Sequence, residues 1–446
     1  LSIKFYVTFL PTKKPRRSTR LVVREIEDHK ETIIRHGPLG YFNILPLELR
    51  FYLFNFLTIE DLSILTITSK IMRNLVEGYR ITQPVTLHIT PQPHNHVFKP
   101  PEHYELYFEK YEKLGLLMKR STCLYATKDR LRVINDFLTK MMCCNSENDH
   151  DRENCISLTC FGKFFHTVIA GWDDTECLKA FEAICNHTSL LKNIKTVVTA
   201  KAGSYPKIEL SMRLLIRRVF LDPCPSLMDK AFWLTRILKP WPMVTQARII
   251  YLLYGASKDG DIFWFEMCEN TPINTEQSLS HFSEIAECIQ LLFNYKKEWS
   301  EDDIVSVVDE LTSSPDEWLA ENVANLLLLC GDKITSKLLI SKAINGRIIE
   351  LCSVTTSFCL VCVKNSYSLS CVMIMVQNIL QVMDNSKDRL LFINSMMDMF
   401  KELILDMHEF TESGNNNNAV DLFYMVTALT EFTKRTIQMA FKNMLL

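Results

Sequence analysis

The segment Leu45–Leu57 predicts a helix with apolar side chains on two opposite faces. At about 100° per residue, one stripe consists of Leu49, Leu53, Phe56 and Leu57. The roughly opposite stripe consists of Leu47, Phe51 and Phe54. A helix that is apolar on two faces must bury both of them, and this requirement constrains the fold around it.

Two more short helices are predicted directly after this one. Thr58 and Asp61 have the spacing of a capping box ahead of Leu62, and a third helix is predicted to begin near Ser69. Three short helices within about 40 residues bury too little apolar surface to be complete alone. The unit therefore predicts a partner protein that covers one of its faces.

This three-helix unit resembles the F-box family. The resemblance rests on Leu45–Leu49, Leu53, Leu57, Asp61, Leu62 and Leu65. It implies that the unit docks on a Skp-type adaptor, which joins it to a cullin and a RING subunit in a ubiquitin ligase. The adaptor contacts implied by the resemblance are Leu45, Pro46, Glu48, Leu49, Leu53, Phe56, Leu57, Leu62 and Leu65. The pattern departs from the family at Thr68, where Val is usual, and at Met72, where Trp is frequent.

The chain beyond residue 103 is predicted to form an irregular, solenoid-like array of helices. Only 12 of 446 residues are Gly, and Gly costs about 1 kcal/mol relative to Ala inside a helix. Two helix starts are predicted, at Ser300 before an acidic turn and at Pro315 before Trp318. The Asn-rich tract 413–418 predicts a disordered loop before a last helix, Val420–Phe441. The sequence has no repeat of fixed period, so no named repeat family is predicted. The predicted fold class is all-α.

Residues in this second region resemble one subfamily of F-box proteins. They are Tyr111–Arg120, Ala170–Asp173, Ala231–Val244, Glu317–Leu319 and Lys342–Arg347, and the resemblance fades beyond about residue 350. The resemblance implies a substrate-receptor role. The predicted organisation is a disordered basic tail (1–40), an F-box (41–80), a Pro-rich linker (81–103) and a helical substrate-recruiting region (104–446).

Basic and aromatic residues gather around Pro240 and Pro242. Arg236, Lys239, Trp241 and Arg248 could hold an acidic or extended segment of a target protein. The alternative is a structural corner between two helices, in which Trp233 and Trp241 fill the core. Both interpretations remain open at this point.

The basic run Lys13, Lys14, Arg16 and Arg17 fits a nuclear-import patch, a tail that touches nucleic acid, or a solvated tail. The net charge of -2 indicates no general attraction to nucleic acid or to anionic membranes. No window approaches about 18 apolar residues, so no membrane span is predicted. The 15 scattered cysteines are typical of reduced thiols, and the expected location is nuclear, cytoplasmic or both.

No catalytic, cofactor or metal site is predicted. The candidate ligands Cys143, Cys144, His150, Cys155, Cys160 and His166 lack paired Cys knuckles. Cys359 and Cys362 have that spacing, but no second pair lies near them. The predicted function is a non-catalytic substrate-recognition subunit of an SCF-type (Skp adaptor–cullin–F-box) ubiquitin ligase. The alternative is a scaffold or chromatin-associated protein that holds the adaptor without directing ubiquitination.

Overall fold

The structure is a computed structural model that describes residues 39–82, 104–141, 155–258, 260–270, 276–412 and 417–444. The predicted basic tail and Pro-rich linker, including Lys13, Lys14, Arg16 and Arg17, lie almost entirely outside these ranges. The described residues are overwhelmingly helical, which confirms the predicted all-α class. None of the described helices is both long and apolar enough to cross a bilayer.

The chain divides into two compact units. Unit 1 takes its described residues from Leu1–Gln92, Glu105–Arg130 and Thr167–Ile169. Unit 2 takes them from Pro93–Tyr104, Leu131–His166 and Ala170–Leu446. The domain boundaries expected from the sequence stay a prediction.

Unit 1 is built around the three short helices. A 3-10 turn, Gly40–Ile44, precedes α1 (Leu47–Phe54), α2 (Ile59–Thr68) and α3 (Lys70–Ile81), and α4 (Tyr104–Ser121) follows. The predicted capping box is present, because Thr58 accepts a hydrogen bond from the backbone of Asp61 and Asp61 accepts one from the backbone of Thr58. Ser69 caps α3 by accepting from the N–H of Met72 at 3.1 Å. These caps satisfy backbone donors that would otherwise have no partner in the first turn.

Unit 2 contains the remaining elements, except where the ranges given above assign some of their residues to unit 1. The first are α5 (Thr127–Met141), α6 (Ser157–Ile169), α7 (Asp174–Thr188), α8 (Leu190–Thr199), α9 (Pro206–Leu215), a π-helical turn (Ile216–Leu221), α10 (Leu227–Leu238) and α11 (Met243–Tyr254). A two-stranded antiparallel hairpin, β1 (Ser257–Lys258) and β2 (Asp261–Ile262), leads to α12 (Glu266–Glu269). The last are α13 (Glu276–Asn294), α14 (Glu301–Leu311), α15 (Ala320–Cys330), α16 (Asp332–Ile344), α17 (Ile348–Lys364), α18 (Ser370–Val382), α19 (Ser386–Glu412) and α20 (Asn417–Met444).

The later helices of unit 2 stack in two layers. In one layer α13 packs on α15, α15 on α17 and α17 on α19. In the other layer α14 packs on α16, α16 on α18 and α18 on α20. Each helix thus contacts the one two positions along the chain, which is the geometry of a solenoid. This stacking confirms the predicted solenoid-like array.

Two predictions in this region are wrong. The helix expected from Pro315 begins instead at Ala320, because the N–H of Trp318 donates to the carbonyl of Thr312 at 2.9 Å and the N–H of Leu319 donates to Met267 at 3.0 Å. These bonds hold residues 312–319 in a turn. The other error is in the Asn-rich tract, since Asn417 and Asn418 already belong to α20.

Candidate functional site

The inner face of α1 packs against α3. The ring of Phe54 is buried and lies 5.3 Å from that of Tyr79, while the ring of Phe51 lies 5.7 Å from Tyr79, measured between centroids. The hydroxyl of Tyr79 donates to Oδ1 of Asn55 at 2.7 Å. This face is the predicted stripe of Phe51 and Phe54, but its third member, Leu47, stays exposed.

The opposite face of α1 is apolar and exposed. Leu49 is 49% exposed, Leu53 is also exposed, and Phe56, just beyond the helix end, is 70% exposed. The rings of Tyr52 and Phe56 contact edge to face, with centroids 5.2 Å apart. We call Leu49, Leu53 and Phe56 the outer stripe. Soluble monomers rarely expose clustered apolar side chains of this kind, and such clusters often mark a surface that binds another protein.

The other predicted adaptor contacts differ in their exposure. Pro46 and Glu48 are exposed, whereas Leu45, Leu57 and Leu65 are half-buried. Leu62 is only 1% exposed and lies in the core of unit 1. In this structure Leu62 supports the unit from inside, and adaptor contact by these residues stays a prediction.

Three more apolar residues on α2 and α3 are exposed, and they lie outside the predicted set of adaptor contacts. Ile64, Ile67 and Ile71 are exposed, whereas the neighbouring Leu62 and Val76 are buried. Ile64 and Ile67 are three residues apart on α2, which is the spacing of one helix face and a signal that the sequence contained. Ile71 follows the extended residue Ser69 and lies on α3. Near them Thr68 is exposed and donates its hydroxyl to the carbonyl of Leu65 at 2.8 Å, so a polar group stands where the family usually has Val.

Helix α4 is joined to α2 by polar contacts within unit 1. Nζ of Lys113 lies 2.8 Å from Glu60 and 2.7 Å from Glu109, and Arg120 donates to Oγ of Ser63 at 2.9 Å. Hydrogen bonds with Glu109 and Glu60 raise the pKa of Lys113 to about 12. The contacts to Glu60 and Ser63 therefore tie α4 to α2 within unit 1.

The predicted target-binding residues Arg236 and Lys239 are engaged within unit 2. Arg236 forms an ion pair with Glu298 and lies over the ring of Phe232, 5.4 Å from its centroid. Nζ of Lys239 lies 2.9 Å from Asp303 and 4.3 Å from the centroid of a Trp299 ring. A target that bound these cations would have to replace contacts that already exist.

The other two predicted target-binding residues are also part of the interior framework. Arg248 donates to the carbonyls of Val198 and Ala200 at 2.5 and 3.0 Å, and its burial lowers its pKa. Trp241 is half-buried, and its indole N–H is buried without a hydrogen-bond partner among the described residues. This geometry favours the structural corner, and target binding by the four residues stays a prediction.

Among the described residues, the cysteines and histidines form no reactive Cys–His pair. Nε2 of His166 lies 3.1 Å from the carbonyl oxygen of Val219 and 4.0 Å from Sγ of Cys224. Burial lowers the pKa of His166 to about 4 and raises that of Cys224 to about 12. Both groups are therefore neutral near pH 7, whereas a nucleophilic Cys–His pair requires a thiolate.

The metal-ligand candidates do not assemble in the described part of the chain. Cys155 and Cys160 are buried, and Cys359 and Cys362 are buried within α17. Cys143, Cys144 and His150 lie outside the described residues. Among the residues that the structure describes, no group of three or more His, Cys, Asp or Glu could hold a metal ion.

Two curated relatives cover nearly all of this architecture. The chain is 36% identical over 438 residues to F-box only protein 47 of Homo sapiens, which spans 96% of each chain. It is 34% identical over 441 residues to F-box only protein 47 of Mus musculus, again over 96% of each. The chain belongs to the F-box only protein 47 family. This confirms the subfamily resemblance seen in the sequence and extends it beyond residue 350, where the sequence pattern fades.

The family also has a model for the helical array. The model described as "FBXO47, ARM repeats" matches residues 186–433, which run from the end of α7 into α20. The array therefore has a repeat type that the sequence alone did not reveal. No solved structure matches the chain.

Proposed function

We propose that this chain is the non-catalytic substrate-recognition subunit of an SCF-type ubiquitin ligase. Unit 1 binds a Skp-type adaptor, and through it a cullin and a RING subunit, while unit 2 binds a target protein. The observation that supports this most is the outer stripe, which leaves apolar side chains exposed at positions where the F-box family contacts its adaptor.

Burial of the outer stripe supplies the driving force for adaptor binding. Each large apolar side chain contributes about 1.5–3 kcal/mol when it passes from water to a fully buried site. Leu49, Leu53 and Phe56 are partly buried already, so the gain for each is smaller, and association itself costs free energy. A surface of this kind fits an adaptor whose own face is apolar.

The chemistry of ubiquitin transfer belongs to other subunits in this proposal. A cysteine that carries ubiquitin must ionise to attack. Burial raises the pKa of Cys185, Cys288 and Cys330 to about 12, so these thiols stay protonated near pH 7. The chain acts instead by proximity, because holding a target lysine near a loaded E2 raises its effective concentration.

Replacing Leu53 by Glu is expected to weaken adaptor binding at least about tenfold, which corresponds to about 1.4 kcal/mol. The carboxylate would have to be desolvated in an apolar interface, and Leu53 is exposed enough for the change to leave the fold intact. The affinity of the purified full chain for a Skp-type adaptor is measured by biolayer interferometry, and folding is checked by the thermal midpoint.

Ile349→Glu is the matched control, because Ile349 is an exposed apolar residue on α17 and lies in unit 2. Its adaptor affinity should equal that of the wild type. Equal affinities for Leu53→Glu and the wild type would contradict the proposal.

Reconstitution with a cullin distinguishes the scaffold alternative, since a complex that holds the adaptor but never the cullin favours a scaffold.

The proposal includes a nuclear or cytoplasmic location, or both, with Lys13, Lys14, Arg16 and Arg17 acting in nuclear import. Changing all four to Ala is expected to lower the nuclear fraction of a fluorescent fusion in cells. The control changes Lys192, Lys195 and Lys201 of unit 2 to Ala, and their replacement should leave the distribution as it was. An import role is excluded if the four-residue variant keeps the wild-type nuclear fraction.

A further inference from the structure

Two neighbouring cavities of about 360 and 430 Å³ lie along α13 in unit 2. Both are lined by Gln290 and Asn294. The first cavity continues to Lys230 and Tyr254, and the second continues to Gly331 at the start of α16. We call these two cavities, which share these lining residues, the α13 groove.

Tyr254 places an unsatisfied polar group in the first cavity. The residue is only 3% exposed and lines that cavity, and its hydroxyl has no hydrogen-bond partner. Arg217 lies over its ring, 5.2 Å from the centroid. Burial raises the pKa of Tyr254 well above its ordinary value, so the hydroxyl remains a donor. A buried donor without an acceptor costs about 1–3 kcal/mol, which a ligand with an acceptor would recover.

Other polar side chains along the groove are also free. Lys230, Glu287 and Asn294 form no side-chain hydrogen bond or ion pair with a described residue. By contrast, Arg217 in the same cavity is paired with Glu284 at 2.8 Å. The free set therefore contains one cation, one anion and one amide, so it has no excess of charge.

Gln290 is oriented by the end of α15. Its Nε2 donates to the carbonyls of Leu329 and Cys330 at 2.8 and 3.3 Å, which leaves Oε1 as an acceptor without a partner among the described residues. Together with the amide of Asn294, the groove thus offers both donors and acceptors in its shared section. A peptide group carries one of each, an N–H and a C=O, whereas a phosphate or a metal ion would call for groups of one kind.

The second cavity contains the start of α16. Gly331 precedes this helix with φ +88°, it offers no side chain as a cap, and a Cβ added there would meet no atom within 4 Å. Lys333 in the first turn is exposed, and its side chain has no partner among the described residues. Asp332 in the same turn is also exposed and lines this cavity, so its charge offsets that of Lys333. The N–H groups of the uncapped first turn therefore favour a neutral acceptor, such as a peptide carbonyl, at this end.

We propose that the α13 groove binds an extended peptide segment of the target protein. Backbone carbonyls of the peptide accept from Tyr254 and Asn294, a backbone N–H donates to Gln290, and a further peptide carbonyl lies at the start of α16. Leu227, exposed at the edge of the first cavity, packs on an apolar peptide side chain. The inference rests on the proposed substrate-recognition function, and it places target binding away from Arg236 and Lys239, whose charges are already paired.

The test uses a phage-displayed library of random peptides of about 12 residues, selected on the purified full chain. Selected peptides are synthesised, and their affinities are measured by fluorescence polarisation. Asn294→Ala is expected to weaken binding at least about tenfold. Tyr254→Phe is expected to weaken it about fivefold without lowering the thermal midpoint, since the ring that fills the core is kept.

The matched control is Asn186→Ala on α7, where an exposed Asn also has no side-chain partner among the described residues. Its peptide affinity should equal that of the wild type. A selection without binders, or binders unaffected by Asn294→Ala, overturns the groove. A Tyr254→Phe variant with a raised thermal midpoint and unchanged peptide affinity also overturns the groove. The hydroxyl of Tyr254 would then be an unsatisfied polar group that contacts no ligand.

Adaptor affinity is measured on the same proteins to separate the two proposals. The groove variants should bind the Skp-type adaptor as the wild type does, because all of the substituted residues lie in unit 2. A wild-type chain that binds the adaptor but no peptide overturns only the groove. A wild-type chain that binds peptide but no adaptor overturns the ligase function and leaves the groove in place.

Discussion

Gly162→Ala is expected to destabilise unit 2 by about 3 kcal/mol, a large effect for one added methyl group. Gly162 lies on α6, where an added Cβ would overlap the backbone oxygen of Arg218 and lie 2.5 Å from Cγ of Pro223. A backbone carbonyl and a proline ring are rigid neighbours, so α6 and the π-helical turn would have to separate. The effect is measured as the shift of the unfolding midpoint in urea, followed by circular dichroism.

Gly78→Ala in α3 is the matched control. A Cβ at Gly78 would meet only Cζ of Phe51, at an ordinary contact distance of 3.5 Å. Helix propensity then favours Ala by up to about 1 kcal/mol, so this variant should be as stable as the wild type or more so. A Gly162→Ala protein that unfolds at the wild-type midpoint would show that α6 does not pack this closely on the π-helical turn.

Separation of these elements would disturb an aromatic core beside them. Phe220 of the π-helical turn packs edge to face on Phe165 and Phe181, with ring centroids 5.9 and 5.3 Å apart. Trp233 of α10 lies 5.4 Å from Phe220. Because α10 also carries Lys230 of the α13 groove, we expect Gly162→Ala to weaken peptide binding as well.

Asp309→Asn is expected to cost about 3 kcal/mol, because it removes a charge that partners a buried lysine. Lys342 is only 6% exposed at its side chain, and its Nζ lies 2.5 Å from Asp309 and 3.1 Å from Glu350. Arg347 pairs with the same two carboxylates. Without Asp309 the two cations share one carboxylate, which leaves a positive charge poorly compensated in the core. Urea unfolding at pH 7 measures the loss.

The exposed pair of Asp398 and Lys401 supplies the control for this prediction. Both side chains are mostly exposed, and such pairs contribute about 0–1 kcal/mol, so Asp398→Asn should have little effect. Equal losses for the two variants would contradict the special role of Asp309.

The same network predicts a pH dependence of stability. Hydrogen bonds and charges from Lys342 and Arg347 outweigh desolvation and lower the pKa of Asp309. A carboxyl whose pKa is lower in the folded state contributes its full stability above its unfolded pKa, about 3.9, and loses it as the pH falls through the folded value. The difference in stability between the wild type and Asp309→Asn should therefore shrink as the pH falls below about 4.

The local features of this chain could be predicted from its sequence. The inner and outer faces of α1 follow from the spacing of Phe51, Phe54, Leu49 and Leu53, and the cap at Thr58 follows from a polar residue placed ahead of an apolar run. Helices are stabilised by contacts between residues no more than about four positions apart, so sequence patterns report them directly. The F-box consists of short helices whose patterns are local in the sequence, so the family could also be inferred from the sequence.

Contacts between distant residues were decided only by the tertiary structure. Arg236 and Lys239 were candidate target-binding residues in the sequence, yet Glu298 and Asp303 pair with them from more than 60 positions away. Pro315 looked like a helix start until the carbonyl of Met267 engaged Leu319. Conversely, Tyr254 and Asn294 carry no sequence signal, and they come together in the proposed groove only because α11 packs on α13. Packing over long separations determines which polar groups find a partner within the protein.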